Sequence, residues 1–434
     1  MIPGHIRERP LGMRYYTSST PGIGGRLKSS PADFRVTEVP GVDPEPVSAD
    51  PGDYPYLVVE VTATDRDTHD LLAILAEEMG LHPDQLAISG TKDANAVTTQ
   101  WLTLHKVHPN ELVEIPDVDL KVVGRLGSQL DFGDHAGNAF EIVVRSSNAP
   151  ERIDRITDEL ASGDGSVVVP NFFGHQRFGI RRAITHDIGR LVLQGAIRAA
   201  VLTYLTTTSQ HEPERTQQAR AEIEAALEAD DQTSALEATP GYLHHERRML
   251  EVLVNEGQTA YETAFGALPW SLQRLFIHAV QSQAFNEILS ERMRRGMPID
   301  RPVEGDAICF FDDDGSIDPD TMQPVSERRL ETARRHCDRG RAVIVGPLVG
   351  RETELLEGEP GAIQSAVLEG LGLDLDTFGS NPISDIEGSW RPFSVRTEMA
   401  VSLDPPMFSF SLPPGSYATV VLREYLKCDP LRMV

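Results

Sequence analysis

The sequence predicts an α+β protein: a β-rich domain built on a mixed or antiparallel sheet, interrupted by a large α/β insertion. Three observations carry this. The first ~165 residues alternate short β-rich runs with turns. The middle, from about Val168 to Trp390, reads as long helical periods with few strands, and after Trp390 the β texture returns. Such a succession fits one discontinuous domain, residues 1–167 with 392–434, and an insertion at 168–391. A chain of 434 residues has room for both, since single cores rarely grow past ~250–300 residues.

Taken in order, Arg35–Val39 and Tyr56–Thr62 read as strands separated by a loop rich in proline and aspartate. A helix follows, with Asp67 as N-cap, an apolar stripe of Leu71, Leu72, Ile74, Leu75 and Met79, and Gly80 as terminator. Leu86–Ser89 and Thr98–Leu104 read as strands flanking a polar turn, and Ala139–Arg145 as another strand. Helical periods cover Ile184–Leu205, Glu212–Glu228, Leu272–Arg295 and Glu327–Arg335, with strands at Ala307–Phe311 and Ala342–Val345. Phe393–Glu398 and Met407–Leu412 close the β texture before a helix from Ser416 to Leu426. No solenoid-length repeat is visible.

Composition excludes several classes. No run approaches the ~20 apolar residues of a membrane span, and Met1–Arg14 lacks the apolar core of a signal peptide. Cys309, Cys337 and Cys428 are too scattered for a disulfide framework or a zinc site, so neither metal nor cofactor is expected, and the setting reads as cytoplasmic. The net charge of −26 alone argues against a nucleic-acid partner. Yet only five of the 40 basic residues are lysine. An acidic, lysine-poor, arginine-tolerant chain suits molar salt, where the Debye length shrinks to ~3 Å and net charge says little about partners. A halophilic, archaeal source is the expectation.

Four segments carry candidate chemistry. Gly90-Thr91-Lys92-Asp93-Ala94-Asn95 places a Lys-Asp pair at a turn tip, either as an Asx-type turn with a surface ion pair or as a presented nucleophile. Gly137-Asn138-Ala139-Phe140 offers an amide able to hold a pyrimidine edge, or a turn-forming asparagine. Asn171-Phe172-Phe173-Gly174-His175-Gln176-Arg177-Phe178-Gly179, followed by Arg181 and Arg182, interleaves aromatics with arginine as RNA sites do, and equally suits a domain junction. His175 reads as structural or as an acid–base group. Leu412-Pro413-Pro414-Gly415-Ser416-Tyr417 ends a strand and brings Tyr417 to the first turn of a helix capped by Ser416, either to stack on a base or to pack.

Together these segments resemble the TruD family of tRNA pseudouridine synthases. The likeness rests on Lys28-Ser29-Ser30-Pro31-Ala32-Asp33-Phe34 leading into Val36 and Glu38, the Gly-x-Lys-Asp loop, Gly137-Asn138-x-Phe140, Asn171-Phe172-Phe173-Gly174 to Gly179, Gln281-Ser282-Gln283-Ala284-Phe285-Asn286, and Leu412-Pro413 to Glu424. They occur in the family's order and span nearly the whole chain. The resemblance implies a pseudouridine synthase catalytic domain, a TRUD insertion domain at about 168–391, tRNA as substrate, and uridine 13 as target. It implies Asp93 as nucleophile, Lys28 beside it, and Phe34, Asn138, Phe140 and Tyr417 around the uracil. Arg177, Arg181 and Arg182, with Arg247 and Arg248, are the expected RNA contacts. Two positions depart from the family pattern: Ala32 replaces the more usual Glu, and Tyr417 stands where bacterial members often carry phenylalanine.

The implied reaction breaks the N1–C1′ bond of uridine, turns the base and joins C5 to C1′. Nothing is oxidised and no group is lost, so no cofactor is needed. A carboxylate can act as nucleophile or as the base that forms a glycal, and a nearby cation favours its ionised form. Two rivals stand beside this reading: a non-catalytic RNA-binding protein on the same scaffold, and a hydrolase, which would usually need a second acid.

Overall fold

A computed structural model of the chain describes residues 1–257, 259–312, 315–380 and 382–434. After a short N-terminal ribbon, Ile2–Pro3 against Tyr15–Tyr16, the first elements are β1 (Phe34–Pro40), β2 (Tyr56–Thr64), α1 (Thr68–Met79), β3 (Leu86–Ile88), β4 (Val97–His105), β5 (Val118–Leu126), β6 (His135–Val143) and α2 (Ile153–Leu160). Then β7 (Val167–Pro170) leads into helices α3 (Thr185–Leu193), α4 (Ile197–Thr206), α5 (Glu214–Glu228), α6 (Gln232–Ala238), α7 (His244–Glu256), α8 (Tyr261–Gly266) and α9 (Trp270–Arg294). The rest comprises β8 (Ala307–Phe310), β9 (Gln323–Pro324), α10 (Leu330–Asp338), β10 (Ala342–Leu348), α11 (Gly358–Leu371), β11 (Ser389–Pro392), β12 (Ser394–Thr397), β13 (Met399–Leu403), β14 (Pro406–Leu412) and α12 (Ala418–Leu426).

The main sheet draws on both ends of the chain, in the order β13-β14-β6-β1-β4-β2-β5, with β3 added to β4. Only the β1–β4 pairing is parallel, so the sheet is mixed, as the sequence predicts. Register decides what shares a face. Val36 lies opposite Phe140 and Glu38 opposite Asn138, while β14 sets Phe410 against Phe140 and Leu412 against Asn138. Because side chains alternate along a strand, Phe34, Val36, Phe140, Ile142, Phe408 and Phe410 form one apolar face. That face packs on α12 and α2 through Val421, Leu422, Ile153 and Ile156.

Two departures from the expected elements bear on the site. Strand β6 begins at His135, so Gly137 and Asn138 lie inside it rather than in a turn. A Cβ on Gly137 would come within 2.5 Å of the Leu412 carbonyl oxygen, so glycine is what lets β14 approach. Helix α12 starts at Ala418, leaving Tyr417 as its N-cap residue instead of Ser416. Farther away, the single period expected over Ile184–Leu205 is two helices, broken where Gly195 takes a left-handed φ of 70°. Helices α3 to α9 bury their own core around Ile188, Val201, Leu250 and Phe276.

From Ala279 to Ser290 helix α9 is buried on every side, and its polar residues act as fasteners. The Asn286 side chain accepts from Phe173 N at 2.8 Å and donates to the carbonyls of Phe173 and Leu11 at 3.0 and 2.9 Å. Gln283 donates to the Pro10 carbonyl and Gln281 to that of Val349. The glutamine- and asparagine-rich motif of α9 thereby holds the Asn171–Gly179 segment and the N-terminal turn against the helix.

Candidate active site

Strands β3 and β4 form a hairpin whose loop, residues 89–96, carries Asp93. Two side chains from outside fix that loop. The Thr68 hydroxyl at the start of α1 accepts from Lys92 N at 2.8 Å. The Lys92 ammonium reaches Glu38 of β1 at 2.6 Å, with both side chains almost wholly buried. Glu38 also accepts from Trp101 N at 3.2 Å. Lys92 is therefore occupied within the scaffold, and the cation beside Asp93 is Lys28.

Lys28 pairs with Asp93 Oδ2, while Asp93 Oδ1 accepts from Asn95 N at 3.2 Å. The Asx-type turn considered from sequence is thus present, but its ion pair is not a surface one. The Lys28 side chain is 3% exposed, against 30% for that of Asp93. Lys28 adopts a left-handed φ of 50°, and its ammonium lies 4.6 Å from the centroid of the Phe34 ring. Next to it, Asp33 binds Arg145 through two nitrogens at 2.5 and 2.9 Å, and that contact holds its carboxyl below the usual range. Asp33 is thereby a strut of the Lys28 loop.

These groups open on a cleft of about 480 Å³ whose walls include Lys28, Phe34, Asp93, Asn138, Phe140 and Tyr417. All six residues singled out for catalysis and base binding line it. Phe34 and Phe140 meet edge to face at 6.3 Å, and both are mostly buried. Half-buried Tyr417 stands on Phe173, with centroids 6.3 Å apart. Asn138 Oδ1 is buried and has no hydrogen-bond partner among the described residues. A buried amide left unsatisfied is costly, and a base edge presenting polar atoms would relieve it.

The expected RNA contacts separate. Arg181 is exposed at the mouth of a second cavity of about 560 Å³, shared with Arg7 and Arg190. Arg177 lies behind the cleft wall, donating to Ser282 Oγ at 3.3 Å and sitting 5.8 Å from the Phe173 ring. Arg182 is mostly turned away from solvent. It donates to the carbonyls of Tyr204 and Thr207 and lies within 4 Å of Glu212 and Glu246, in a buried network with Arg220, so its charge is spent on holding helices. Arg247 likewise donates to the Thr239 carbonyl. Arg248 is exposed on α7. Both ring nitrogens of His175 are buried with no hydrogen-bond partner among the described residues, and burial lowers its affinity for a proton.

Sequence reasoning missed three groups here. Gln176 and Asp67 also line the cleft, so it holds a second carboxylate, although Asp67 Oδ1 caps α1 by accepting from His69 N at 2.8 Å. The sequence marks Asp67 only as a cap. His135 lies near Lys92 and Glu38, and burial, the main cause, depresses its proton affinity. No local pattern marks His135, because β6 brings it to the loop only in the folded sheet. Among the described residues, no group of acids, histidines and cysteines could hold a metal ion.

Comparison with known proteins finds likeness along nearly the whole chain. The family model of tRNA pseudouridine synthase D (TruD) matches residues 10–425. Proteins named as tRNA pseudouridine synthase D from Halobacterium salinarum and Natronomonas pharaonis are 46% and 44% identical, covering 100% and 99% of both chains. A crystal structure of a TruD protein from Methanosarcina mazei, 35% identical, superposes with a TM-score of 0.84 over 98% of each chain. The chain belongs to the TruD family.

Proposed function

We propose that this chain is a tRNA pseudouridine synthase, an isomerase converting a uridine of tRNA, uridine 13, to pseudouridine with Asp93 as nucleophile and no cofactor. One observation carries the reading. A carboxylate on a braced loop shares a single cleft with a buried lysine, two phenylalanines, an unsatisfied amide and a tyrosine. In this reading Asp93 meets C1′, or takes the C2′ proton, while Lys28 holds it ionised. The detached uracil stays between Tyr417 and Phe34, with Asn138 at its edge. Extruding the uridine costs a few kcal/mol, and stacking on Tyr417 returns ~1–3 kcal/mol. Phosphate contacts supply the remainder, Arg181 being the exposed candidate.

The catalytic unit in this reading is 1–167 with 392–434, and the insertion is 168–391. Support comes from the antiparallel pairing of β7 with β12, which brings residues 167–170 beside 394–397 where the inserted segment leaves and returns. Cytoplasmic residence follows from the tRNA substrate. It agrees with the described helices, none of which is long and apolar enough to cross a membrane.

The test is to incubate the protein with unmodified tRNA in high salt and map pseudouridine. A new pseudouridine at position 13 is expected. Release of free uracil would favour a hydrolase using Asp93 and Asp67, and tRNA binding without either product would favour a binding protein.

A further inference from the structure

Near Tyr417 lie two guanidinium groups, those of Arg177 and Arg391, neither of which makes an ion pair with a described carboxylate, although Arg391 also lines, with Asp312, a separate cavity of about 560 Å³. Arg391, 8% exposed, donates to the Asn171 carbonyl at 3.2 Å, to Asn171 Oδ1 at 2.8 Å and to the Gly415 carbonyl at 3.0 Å. All three acceptors are neutral. Its guanidinium carbon lies 4.0 Å from the centroid of the Phe173 ring, and that ring is 6.3 Å from Tyr417, so the charge is no farther than about 10 Å from the tyrosine ring. Arg177 approaches the same Phe173 ring, at 5.8 Å. Burial presses the Arg391 guanidinium down to about 10, the Tyr417 hydroxyl opposing and Arg177 adding to the effect.

This arrangement is unlike the fold's other deeply buried arginines. Arg423 faces Glu8 and Glu424, Arg292 faces Asp306, and Arg220 faces Glu212 and Glu246. Arg125 is also bound to carbonyls only, but on β5, the outer strand of the main sheet. Burying a charge without a counter-charge is costly. Two together, on one ring behind the cleft, call for a negative partner, and no described carboxylate is ion-paired with either.

The proposed reaction creates one. Breaking the C1′–N1 bond leaves its electron pair on the base, so the uracil is transiently an anion with charge on N1, O2 and O4. C1′ meanwhile carries a bond to an Asp93 oxygen or, once Asp93 has taken the C2′ proton, a double bond to C2′. Joining C5 to C1′ uses the anion's electrons and either frees the Asp93 oxygen or returns the proton to C2′. The C5 proton then leaves and N1 gains one, so the sum is an isomer and no co-reactant enters. We propose that Arg391, assisted by Arg177, is a positioning residue that sets positive potential beneath the Phe173–Tyr417 wall and stabilises the detached uracil anion. The inference rests on the pseudouridine synthase reading and names residues that reading does not use. One unit charge about 10 Å from another, at an effective dielectric of ~20, changes a rate by roughly tenfold.

The test uses single-turnover kinetics on unmodified tRNA and on the same tRNA transcribed with 5-fluorouridine, whose ring anion is more stable and needs less help. R391Q should slow loss of uridine by roughly tenfold or more. It should slow loss of 5-fluorouridine distinctly less and leave tRNA affinity within about twofold. R391K should recover part of the rate at about pH 6, where a buried amine is still protonated, and lose it as the pH rises. An unchanged rate in R391Q overturns the proposal. So does an equal loss on both substrates that R391K fails to restore at any pH, since that marks a collapsed wall. Should R391Q not fold, R177Q, which gives up one hydrogen bond to Ser282, decides the matter by the same two-substrate comparison. A wild-type protein that forms no pseudouridine would sink the parent reading, whereas unaffected variants of an active enzyme sink only this one.

Discussion

Replacing Asp93 by asparagine separates chemistry from architecture, because the structure allows both costs to be worked out. Asn is nearly isosteric and can still accept from Asn95 N, so the loop keeps its turn. What is lost is the charge facing Lys28. Two unit charges about 4 Å apart at an effective dielectric of ~20 attract by about 4 kcal/mol. Asp93 is 30% exposed, so water screens part of that, and Lys28 retains its contact with the Phe34 ring at 4.6 Å. A stability loss of about 1–3 kcal/mol is therefore expected. Against a total of about 5–15 kcal/mol, nearly all of the variant stays folded. Turnover, by contrast, should fall by about 10⁴-fold or more, since neither covalent attack nor proton removal survives. The assay is single-turnover pseudouridine formation, with tRNA affinity and thermal unfolding measured on the same preparation. Asp67→Asn is the control: it removes the cleft's other carboxylate, and asparagine caps a helix as well as aspartate, so turnover and stability should both persist. Pseudouridine formation by D93N above about 1% of the wild-type rate, or loss of activity in D67N instead, would refute the reasoning.

Tyr417→Phe should keep most activity and Tyr417→Ala lose about 10–100-fold, the worth of one base stack; a collapse in the phenylalanine variant would assign the work to the hydroxyl. Lys92→Met leaves buried Glu38 without its partner and should cost about 3–5 kcal/mol in denaturant unfolding, most of it recovered in the double variant with Glu38→Gln. Burial, the largest cause in each case, holds His135, His175, His186 and His278 below the ordinary 6.5. The sign follows: above pH 6.5 both states are neutral, and as the pH falls below it only the unfolded chain gains protons. Melting temperature should thus drop steadily from pH 7 towards 5 and change little from 7 to 8, a slope that His175→Gln should flatten. Finally, with a net charge of −26, the protein should melt at lower temperature in millimolar than in molar KCl, and equal melting temperatures would remove the case for a salt-adapted surface.

What was legible in the sequence was whatever a local signal sets. Helix α1 carries its own cap in Asp67 and its own stop in Gly80, and both operate as read. The start of β6 has no such signal. Gly137 and Asn138 resemble a turn, and they are extended because β1 and β14, from opposite ends of the chain, both pair with them. The same limit governs the loop around Asp93. Adjacency suggests Lys92 as its partner, yet neighbouring residues of an extended turn project in different directions. Lys92 instead descends to Glu38, and Lys28 arrives from sixty-five residues upstream. The six motif residues share one cleft, but which charge answers which is a property of the sheet register.

Register and burial also explain how so acidic a chain can serve an anionic substrate. Arg182, Arg220, Arg292 and Arg423 spend their charge inside the fold, against Glu212, Glu246, Asp306, Glu8 and Glu424. They balance the interior and leave the carboxylate excess outside. In molar salt, with a Debye length of ~3 Å, that excess neither repels nor steers an RNA beyond contact distance. In the proposed reading, discrimination then falls to the largely covered groups of the cleft and its wall: the Lys28–Asp93 pair, the ring of Tyr417, and the guanidinium of Arg391 against Phe173. Buried charges are screened far less than surface ones. A salt-tolerant site is therefore best built with its working charges under cover, as the nearly buried Lys28 is beside Asp93.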